Sequence, residues 1–558
     1  MIKEGISSNE PVTITLTDGG APLSVETGVS VLNIARQNDI DIIATCGGRG
    51  RCRSCRVKLV EGAATQPGVS DLAQLSEDEI REGYRLACQC YPQSTTRYSI
   101  APPNHEISFQ ILSEPGEWQG QLNSIDQIRE NETPYGMAFD IGTTTVVGYL
   151  IDLKTGETLS CVSGLNPQTV FGGDLISRIT FAAEKTTNVK KLHQRIATFL
   201  NDLSEYACGQ FGIARTDICK LVVVGNTCMH HLFLGIDPTP LGSAPYRPVI
   251  EEAHQCLARA CGLRLHEKAQ VYMLPIIAGF VGADTVGMIL SSRLESRAGN
   301  CIAADIGTNA EVVLKTDQGL IACSSPAGPA LEGGQIRDGM RAALGAIDKV
   351  TAEQDIVVHS IGDAPTLGIC GSGLIDAVAV LLDLGIINKT GRLLLEPNGP
   401  LPDAIAARLR SGKDGAPEFV MAWASQSGNR LDIVLGQDDI RQLQLAKAAI
   451  MSSVDALLQQ SGLERSDIDT FLLAGGFGNY INIRSARRIG LIPDLANDRI
   501  HYIANAAGLG AQMALLSDQS RAAAENIARK TKYLSLAGYH GFQKMYLGAM
   551  GFPTGIKQ

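Results

Sequence analysis

Two stretches of this chain are near copies of each other, and this repetition constrains the fold more than any other feature. FDIGTTTVVGYLID contains Asp140, and AADIGTNAEVVLK contains Asp305. In both, an apolar run ends in Asp-Ile-Gly-Thr and a second apolar run follows, which predicts a strand, a tight turn and a second strand. An internal repeat of this kind predicts two similar halves that face each other.

The two turns carry groups that suit a polyphosphate. Gly and Thr offer N–H and hydroxyl donors to phosphate oxygens, and an Asp at the strand end can hold Mg²⁺ through water. The candidate nucleotide-binding residues are Gly142, Thr143, Thr144 and Thr145 in the first turn and Gly307, Thr308 and Asn309 in the second. With Asp140 and Asp305 beside them, one turn from each half would clamp the phosphates of ATP from two sides.

A third stretch, LLAGGFGNYI, predicts the loop that receives the adenosine. An apolar strand leads into Gly475, Gly476 and Gly478, whose backbone can lie flat against a nucleoside. AGFVGADTVG and NAAGLGA predict two connecting helices. Asp284, in the first of these helices, is the candidate to orient the attacking water, and a capping or packing role is the alternative. The order of these motifs resembles the actin, sugar-kinase and heat-shock-70 (ASKHA) ATPases, which implies a two-lobed α/β domain built on a duplicated ribonuclease H-like unit.

Four cysteines near the N-terminus indicate a metal centre. The candidate ligands are Cys46, Cys52, Cys55 and Cys88. Their C-x5-C-x2-C spacing is one residue longer than that of plant-type ferredoxins, and it resembles the hydroxylase-type ferredoxins, which implies a [2Fe–2S] cluster. Zinc and free thiols are the weaker alternatives, because zinc sites usually show two close cysteine pairs. Cys90 is an alternative fourth ligand, and Cys88 is preferred because RLACQ resembles the fourth-ligand segment of the hydroxylase-type ferredoxins.

The segments around these cysteines predict a small α+β domain of the β-grasp ferredoxin type. PVTITL and PLSVET flank a DGG turn, which is a hairpin signal, and SVLNIARQ has helical spacing with Ser30 as its cap. The predicted boundaries are 1–101 for this domain, 102–135 for a polar linker, and 136–558 for the ATPase domain with two subdomains. A tether of that length would let a redox module swing between an electron donor and an acceptor.

Composition and charge narrow the choice of partners. The net charge is −10 with no long basic run, which argues against nucleic acid as a partner. The most membrane-like stretch, LPIIAGFVGADTVGMIL, contains an aspartate and glycines and therefore predicts a buried core segment, so no membrane partner is expected. The 14 cysteines are dispersed, and the first residues show no apolar signal region, which predicts a reducing cytoplasm.

Two smaller motifs remain open from the sequence alone. His230 and His231 are adjacent, and adjacent residues do not share a helix face, so packing or capping is favoured over joint metal ligation. Asp174 and Arg178 are four residues apart, which predicts a helical ion pair. Such a pair would serve either a docking surface or a contact between subdomains.

With these motifs in place, the chain resembles the reductive activators of corrinoid-dependent methyltransferases. Matching stretches run almost end to end, among them VGNTCMHHLFLGIDP, GPALEGGQIRDGM, AGGFGNYINI and AMGFP. The resemblance implies that the protein takes one electron from an electron donor and delivers it to Co(II) of a corrinoid protein, restoring the Co(I) state needed for methyl transfer. It also implies that ATP and Mg²⁺ drive this uphill step.

Other functions stay open at this point. A small-molecule kinase of the same ATPase class, fused to a ferredoxin, is the main alternative, and a redox carrier or sensor without enzyme activity is another. A kinase needs a pocket carboxylate that accepts a proton from its substrate, and the sequence singles none out. Homodimer formation, the identity of the electron donor and the methyl donor of the partner system cannot be derived from the sequence.

Overall fold

The computed structural model describes residues 12–16, 20–38, 40–44, 48–50, 54–75, 77–100, 134–397, 399–412, 415–428, 430–475 and 481–554. Three units follow one another along the chain: an N-terminal domain (residues 12–100), lobe I (134–297) and lobe II (300–554). None of the helices within these residues is long and apolar enough to cross a membrane. The predicted linker lies outside the described residues except at its end, where Tyr135 begins the first strand of lobe I.

The N-terminal domain is a mixed five-stranded sheet with one main helix. Its elements are β1 (Val12–Leu16), β2 (Leu23–Val25), α1 (Val31–Gln37), β3 (Arg56–Glu61), α2 (Val69–Gln74), α3 (Glu77–Arg81), β4 (Tyr84–Leu86) and β5 (Thr96–Ile100). The strand order is β2-β1-β5-β3-β4, with β1 parallel to β5 and antiparallel to β2. Ile14 and Leu16 are buried in one cluster with the apolar face of α1, and Ser30 caps that helix. The predicted hairpin, helix and β-grasp fold are confirmed.

Lobe I is built on a six-stranded sheet of order β10-β11-β9-β6-β7-β8. Its strands are β6 (Tyr135–Ile141), β7 (Thr145–Asp152), β8 (Thr158–Leu165), β9 (Ile218–Gly225), β10 (His254–Leu257) and β11 (Gln270–Met273), and its helices are α4 (Leu175–Glu184), α5 (Thr186–Gly209), α6 (Thr227–Leu234) and α7 (Ala283–Ser291). Strands β6, β7 and β8 form an antiparallel meander. Strand β9 pairs in parallel with β6, and β11 pairs in parallel with β9.

Lobe II repeats that plan with a sheet of order β22-β21-β12-β13-β14-β23. The sheet strands are β12 (Cys301–Ile306), β13 (Ala310–Thr316), β14 (Gly319–Ser325), β21 (Thr470–Ala474), β22 (Ile500–Tyr502) and β23 (Lys532–Tyr533). Two three-stranded sheets lie between β14 and β21: β15 (Ala346–Ala352), β16 (Ile356–Ser360) and β17 (Gly368–Ile369), then β18 (Leu409–Ser411), β19 (Pro417–Ala422) and β20 (Ile433–Gly436). The helices are α8 (Gly371–Asp383), α9 (Asp403–Ala406), α10 (Gln437–Gln460), α11 (Ile483–Ile489), α12 (Ala506–Leu516), α13 (Asp518–Lys530) and α14 (Phe542–Ala549).

The two main sheets confirm the predicted internal repeat. In both, the first two strands of a meander join at the Asp-Ile-Gly-Thr turn, and later strands add in parallel to the strand that carries the aspartate. The turns, here called loop 1 (residues 142–145) and loop 2 (residues 307–309), therefore sit at equivalent ends of two equivalent sheets.

Helices α7 and α12 join the lobes. They pack in an apolar cluster that also takes in residues of both main sheets, such as Val222 of β9 and Leu472 of β21. The helices touch backbone to backbone, because a Cβ added to Gly510 would lie 2.2 Å from the carbonyl oxygen of Gly287. This close crossing fixes how the two helices that join the lobes pack against each other.

Candidate active site

Loops 1 and 2 meet directly across the cleft between the lobes. The hydroxyl oxygens of Thr144 and Thr308 are 3.1 Å apart. Each loop is closed by its own backbone hydrogen bond, from the Gly142 N–H to the Thr145 carbonyl at 2.9 Å and from the Gly307 N–H to the Asn309 carbonyl at 3.1 Å. All seven predicted loop residues thus lie at one place, with hydroxyl and N–H donors from both halves.

Side chains from neighbouring elements fix the shape of each loop. In loop 1, Asn166 donates to the Gly142 carbonyl at 2.8 Å, and Asn226, the N-cap of α6, donates to the Thr143 hydroxyl at 3.0 Å. In loop 2, the Thr308 hydroxyl donates to Glu332 at 2.8 Å. The loops are therefore held in shape before any nucleotide arrives, which lowers the entropy lost on binding.

Three aspartates and a glutamate converge beneath the loops. Asp140 and Asp305 are the second-last residues of β6 and β12, and Asp284 is in the first turn of α7. Glu311 on β13 pairs with Asp305 across the sheet and accepts a hydrogen bond from Ser324 at 3.0 Å. Asn505, the N-cap of α12, donates to Asp140 at 3.0 Å. The structure thus brings the three predicted aspartates together.

Burial and mutual repulsion make these carboxyls unusually weak acids. Loss of solvation, followed by the charges of Asp284 and Asp305, raises the pKa of Asp140 to about 8. The same two kinds of cause raise the pKa of Asp305 to about 7, and burial raises the pKa of Asp284 to about 6. The pKa of Glu311 also lies well above its usual range, because it is buried next to Asp284 and Asp305. A site of this kind favours a cation, since a positive charge would relieve both effects.

Among the described residues, no three His, Cys, Asp or Glu side chains come close enough to hold one metal ion together. Mg²⁺ commonly keeps several waters and is held through one or two carboxylates and the phosphates of its nucleotide. The residues present therefore fit a magnesium ion that arrives with ATP.

Glu311 was missed by the sequence analysis, although the repeat carries a signal for it. In the first half, the residue paired with Asp140 is Val147. In the second half, the residue paired with Asp305 is Glu311, an acid inside the otherwise apolar stretch AEVVL. Comparing the two copies position by position would have marked this residue as one that departs from the pattern.

The predicted adenosine loop is only partly described. Gly475 follows β21 with a φ of +102°, and a Cβ there would lie 2.7 Å from the Ile306 carbonyl and 2.9 Å from Asp305. Only glycine fits this approach to the aspartate without strain. Gly476 and Gly478 lie outside the described residues.

Two of the four predicted cluster ligands lie side by side at the loop of residues 46–55, here called the cluster loop. The Cys55 and Cys88 sulfurs are buried and 3.5 Å apart, and Cys46 and Cys52 lie outside the described residues. Gly48 and Gly50 both have positive φ, and a Cβ at Gly50 would lie 2.6 Å from the Ser70 hydroxyl. A Cβ at Gly48 would lie 3.8 Å from the Cys88 Cβ, so the backbone passes close to that cysteine, as a cluster with N–H donors to its sulfurs requires. The residues present fit such a cluster.

Cys90 lies in a different environment from Cys88. Its sulfur is 3.5 Å from the Tyr98 hydroxyl in the domain core, and burial raises the pKa of the thiol to about 11. A thiol that resists deprotonation is a poor metal ligand. This placement favours Cys88 over Cys90 as the fourth ligand.

The N-terminal domain sits on lobe I through charged contacts. Arg195 of α5 makes two hydrogen bonds to Asp41, at 2.8 and 3.0 Å. Arg36 donates to the carbonyls of Val170 and Phe171, at 3.1 and 3.3 Å. Arg49, between Cys46 and Cys52 in the cluster loop, forms a 3.0 Å salt bridge with Asp174. The cluster loop thus faces the ATPase lobe.

The predicted helical pair of Asp174 and Arg178 is wrong. Asp174 caps α4 by accepting from the N–H of Ser177 at 2.7 Å and pairs with Arg49 instead. Arg178 points inward and donates to backbone carbonyls of Gly172 and Thr143. Spacing alone could not show that Asp174 is the N-cap residue, whose carboxylate is held at the end of the helix by Ser177.

The two adjacent histidines serve the packing of α6. His231 interacts with the Thr227 carbonyl at 2.7 Å through Nδ1, and its Nε2 accepts from the Val249 N–H at 2.9 Å. His230 is fully buried, which lowers its pKa to about 3. Their rings diverge, with centroids 6.4 Å apart and planes tilted by 58°. The favoured packing role agrees with this arrangement.

Three family descriptions match consecutive parts of the chain. Residues 14–93 match the 2Fe-2S iron-sulfur cluster binding domain, residues 135–297 match the RACo middle region, and residues 299–558 match the C-terminal domain of RACo, the ASKHA domain. These descriptions support a ferredoxin-type domain at the N-terminal end of the chain and an ASKHA domain at its C-terminal end.

Individual relatives are similar over most of their length. The corrinoid activation enzyme RamQ of Eubacterium limosum is 34% identical, covering 90% of this chain and 92% of its own. The [Co(II) methylated amine-specific corrinoid protein] reductase of Methanosarcina barkeri is 27% identical, covering 75% and 77%. A solved structure, the reductive activator for corrinoid, iron-sulfur protein, superimposes with a TM-score of 0.71 at 30% identity and covers 97% of this chain and 98% of its own.

Proposed function

Because this chain belongs to the family of reductive activators of corrinoid proteins, we propose that it uses ATP to drive one electron onto the Co(II) of a corrinoid protein. The product, Co(I), is the nucleophile that such a protein needs for methyl transfer. A [2Fe–2S] carrier of this kind has a reduction potential no lower than about −400 mV. The reduction is uphill because the Co(II)/Co(I) couple of the family's partners lies lower still. Each tenfold of unfavourable equilibrium corresponds to about 59 mV for one electron. ATP is the source of the missing free energy.

One observation carries this proposal: the cysteine loop of the N-terminal domain contacts the lobe that holds loop 1. Arg49 lies in the cysteine loop and Asp174 at the start of α4, with 3.0 Å between them. A cysteine-bearing domain docked on the lobe that carries loop 1 supports a coupled reaction more than two independent activities. The sequence similarity to the corrinoid activation enzyme RamQ, which extends over 90% of this chain, supports the same conclusion.

At the nucleotide site, we assign the phosphates of ATP to loops 1 and 2. The hydroxyls of Thr144 and Thr308, 3.1 Å apart, would part to accept phosphate oxygens between them. Asp140 and Asp305 would hold Mg²⁺ through its waters, and Asp284, at the start of α7, would orient the water that attacks the terminal phosphate. Gly475, Gly476 and Gly478 would receive the adenosine.

At the redox site, we assign Cys46, Cys52, Cys55 and Cys88 as ligands of a [2Fe–2S] cluster. The cluster, when bound, supplies a carrier for one electron. The described residues hold two of the four thiols together in a buried position, and the glycines at 48 and 50 let the backbone pass close to them. A separate electron donor must reload this site after each turnover.

An anaerobic visible spectrum tests the proposal. The reduced holo-protein is mixed with a Co(II) corrinoid protein, with and without Mg-ATP, and the Co(I) band is followed. We expect Co(I) to form only with Mg-ATP, and to be lost in Cys52→Ser and in Asp305→Ala. Asp317→Ala is the matched control, because Asp317 is an exposed residue in the turn between β13 and β14.

Two outcomes would contradict the proposal. If Co(I) forms at the same rate without nucleotide, the ATPase does not drive the reduction. If no corrinoid protein is reduced while a small metabolite is phosphorylated, the protein is a kinase and the redox site regulates it.

A further inference from the structure

Arg178 is a buried cation whose contacts with the protein are neutral groups. Its side chain is fully buried. Nε donates to the Gly172 carbonyl at 2.8 Å, one Nη meets the oxygen of Gln168 at 3.3 Å and the sulfur of Met229 at 3.1 Å, and the other Nη donates to the Thr143 carbonyl. Burial lowers its pKa to about 10, so it still carries a charge at neutral pH.

The nearby charges of Asp174 and Glu332 offset part of the cost of burying this guanidinium, and the rest calls for a compensating role. Thr143 belongs to loop 1, so the positive charge of Arg178 lies directly behind the residues assigned to phosphate. An anion in the cleft would be attracted to this charge through a medium of low dielectric constant. The guanidinium also fixes the Thr143 carbonyl, and with it the direction of the neighbouring N–H groups.

The start of α4 connects Arg178 to the N-terminal domain. Arg49 of the cluster loop donates to Asp174 and to the hydroxyl of Ser177, both at 3.0 Å. Ser177 is the residue before Arg178, and it is itself bonded twice to Asp174, at 2.7 and 2.8 Å. One turn of helix therefore separates the contact with the cluster loop from the contact with loop 1.

A tight backbone turn makes this connection stiff. Residues 170–174 supply carbonyls to both sides, since Val170 and Phe171 accept from Arg36 of the N-terminal domain and Gly172 accepts from Arg178. A Cβ on Gly172 would lie 2.5 Å from the Ser177 Cβ and 3.0 Å from the Arg178 nitrogen. The turn is packed directly onto α4, so it cannot move without moving the helix.

We propose that Arg178 is a positioning residue for loop 1, and that its hold on the loop is coupled through turn 170–174 and α4 to the docking of the N-terminal domain. This coupling rests on the proposed function. By reciprocity, ATP changes the docking equilibrium by the same factor by which docking changes ATP affinity. ATP binding would thereby reposition the redox domain, which gives the nucleotide a physical route to the electron.

The test uses the full-length holo-protein without a corrinoid partner. Arg49→Gln and Asp174→Asn weaken docking at α4, and the second keeps an oxygen that can cap the helix. Arg97→Gln is the matched control, since Arg97 pairs with Glu61 inside the N-terminal domain. We expect both docking variants to change the KM for ATP at least about 5-fold, the lower range of measured couplings, with kcat changed less. Arg97→Gln leaves both constants unchanged.

Hydrogen exchange gives the reciprocal measurement. In the parent protein, a non-hydrolysable ATP analogue with Mg²⁺ should change amide exchange in residues 31–38 and 170–178. Arg178→Lys keeps the charge but loses the forked donors, so it should retain folding and lose this response. Circular dichroism and the visible absorption of the cluster confirm that each variant is intact.

The outcomes separate this inference from the proposed function. If Arg49→Gln and Asp174→Asn leave the KM for ATP unchanged, or if Arg178→Lys responds to nucleotide like the parent, the coupling is refuted. Should Arg178→Lys fail to fold, the two docking variants decide alone. Loss of Co(I) formation with the coupling intact would refute the proposed function and not this inference.

Discussion

The carboxyls of the nucleotide site are the individual side chains whose charge state most affects the protein. Asp140, Asp284 and Asp305 lie close together in the cleft, and burial raises the pKa of all three. Binding of Mg²⁺ with ATP at this proposed site would therefore be linked to their protonation.

The free energy of unfolding of the metal-free protein should fall as the pH rises from about 5 to 8.5. The pKa values of Asp140 and Asp305 are about 8 and about 7 in the folded protein, against an ordinary value of 3.8. The native state thus retains protons that the unfolded chain has released, so their stabilising contribution is full below about pH 4 and lost as pH passes through 7 and 8. Thermal denaturation without nucleotide measures this slope.

Mg-ATP should reverse the trend, since the cation takes the place of the protons. Its stabilising shift of the melting temperature should be larger at pH 8 than at pH 6. The double variant Asp140→Asn, Asp305→Asn should show a flatter pH dependence and a smaller Mg-ATP shift. A slope as steep as the parent's in this variant would contradict the assignment of the effect to these carboxyls.

Cys88→Ser should abolish the visible absorption of the cluster, and Cys90→Ser should keep it. Cys88 lies beside Cys55, whereas Cys90 lies against Tyr98 in the domain core. Exchanging that buried thiol for a hydroxyl is expected to lower stability by about 1 kcal/mol. Iron content and absorption after anaerobic reconstitution measure both variants, and loss of iron only in Cys90→Ser would exchange the two assignments.

Among the helices, α7 and α12 carry the geometry of the whole site. The first presents Asp284, and the cap of the second, Asn505, holds Asp140. Their backbones touch where Gly287 faces Gly510. Any change that separates these helices should therefore move two carboxylates from their places at once.

Gly510→Ala should destabilise the protein by about 1 to 3 kcal/mol, as overpacking of a tight core does, and should weaken ATP hydrolysis as well. The added methyl group would lie 2.2 Å from the Gly287 carbonyl, which forces the helices apart. Urea denaturation and steady-state hydrolysis measure the two effects.

Gly548→Ala is the matched control for this substitution. Gly548 is exposed in α14, and a Cβ there would meet no atom within 4 Å. Alanine in place of an exposed helical glycine is expected to stabilise by about 0.5 to 1 kcal/mol. If both substitutions destabilise equally, the crossing of α7 and α12 is not a special point of the fold.

The sequence predicted the elements well and the contacts between them poorly. The two Asp-Ile-Gly-Thr turns, the α1 cap at Ser30 and the connecting helices follow from local patterns, and the structure has them. The contacts of Glu332 with Thr308 and of Arg178 with Thr143 were not predicted, because the partners lie far apart in the sequence. Such contacts depend on tertiary packing, which spacing and periodicity do not encode.

At the scale of the whole molecule, the N-terminal domain is joined to lobe I largely by contacts of charged side chains. The described contacts between the N-terminal domain and lobe I include the salt bridges Arg49–Asp174 and Arg195–Asp41, both partly exposed. Stacked Phe171 and Phe181 lie under the guanidinium groups of Arg195 and Arg36, respectively. An interface of this kind is suited to repeated association and release rather than to permanent attachment.

Salt should release the N-terminal domain from lobe I. Between about 0.1 M and 1 M salt the Debye length falls from about 10 Å to about 3 Å, which weakens exposed ion pairs. Small-angle X-ray scattering should then show a larger radius of gyration at high salt. Arg195→Gln should show the expanded form at lower salt, and scattering curves that do not change with salt would mean that apolar contacts hold the domain.

The repeated sheets also bear on how such a site can arise. A pocket between two copies of one motif has approximate twofold symmetry, but a nucleotide has none. After a duplication, each half meets a different part of the ligand, so the halves diverge first where they touch it. Val147 opposite Asp140, and Glu311 opposite Asp305, stand at the same place in the two copies. This is the kind of difference that an asymmetric ligand would be expected to leave on two halves that began as copies.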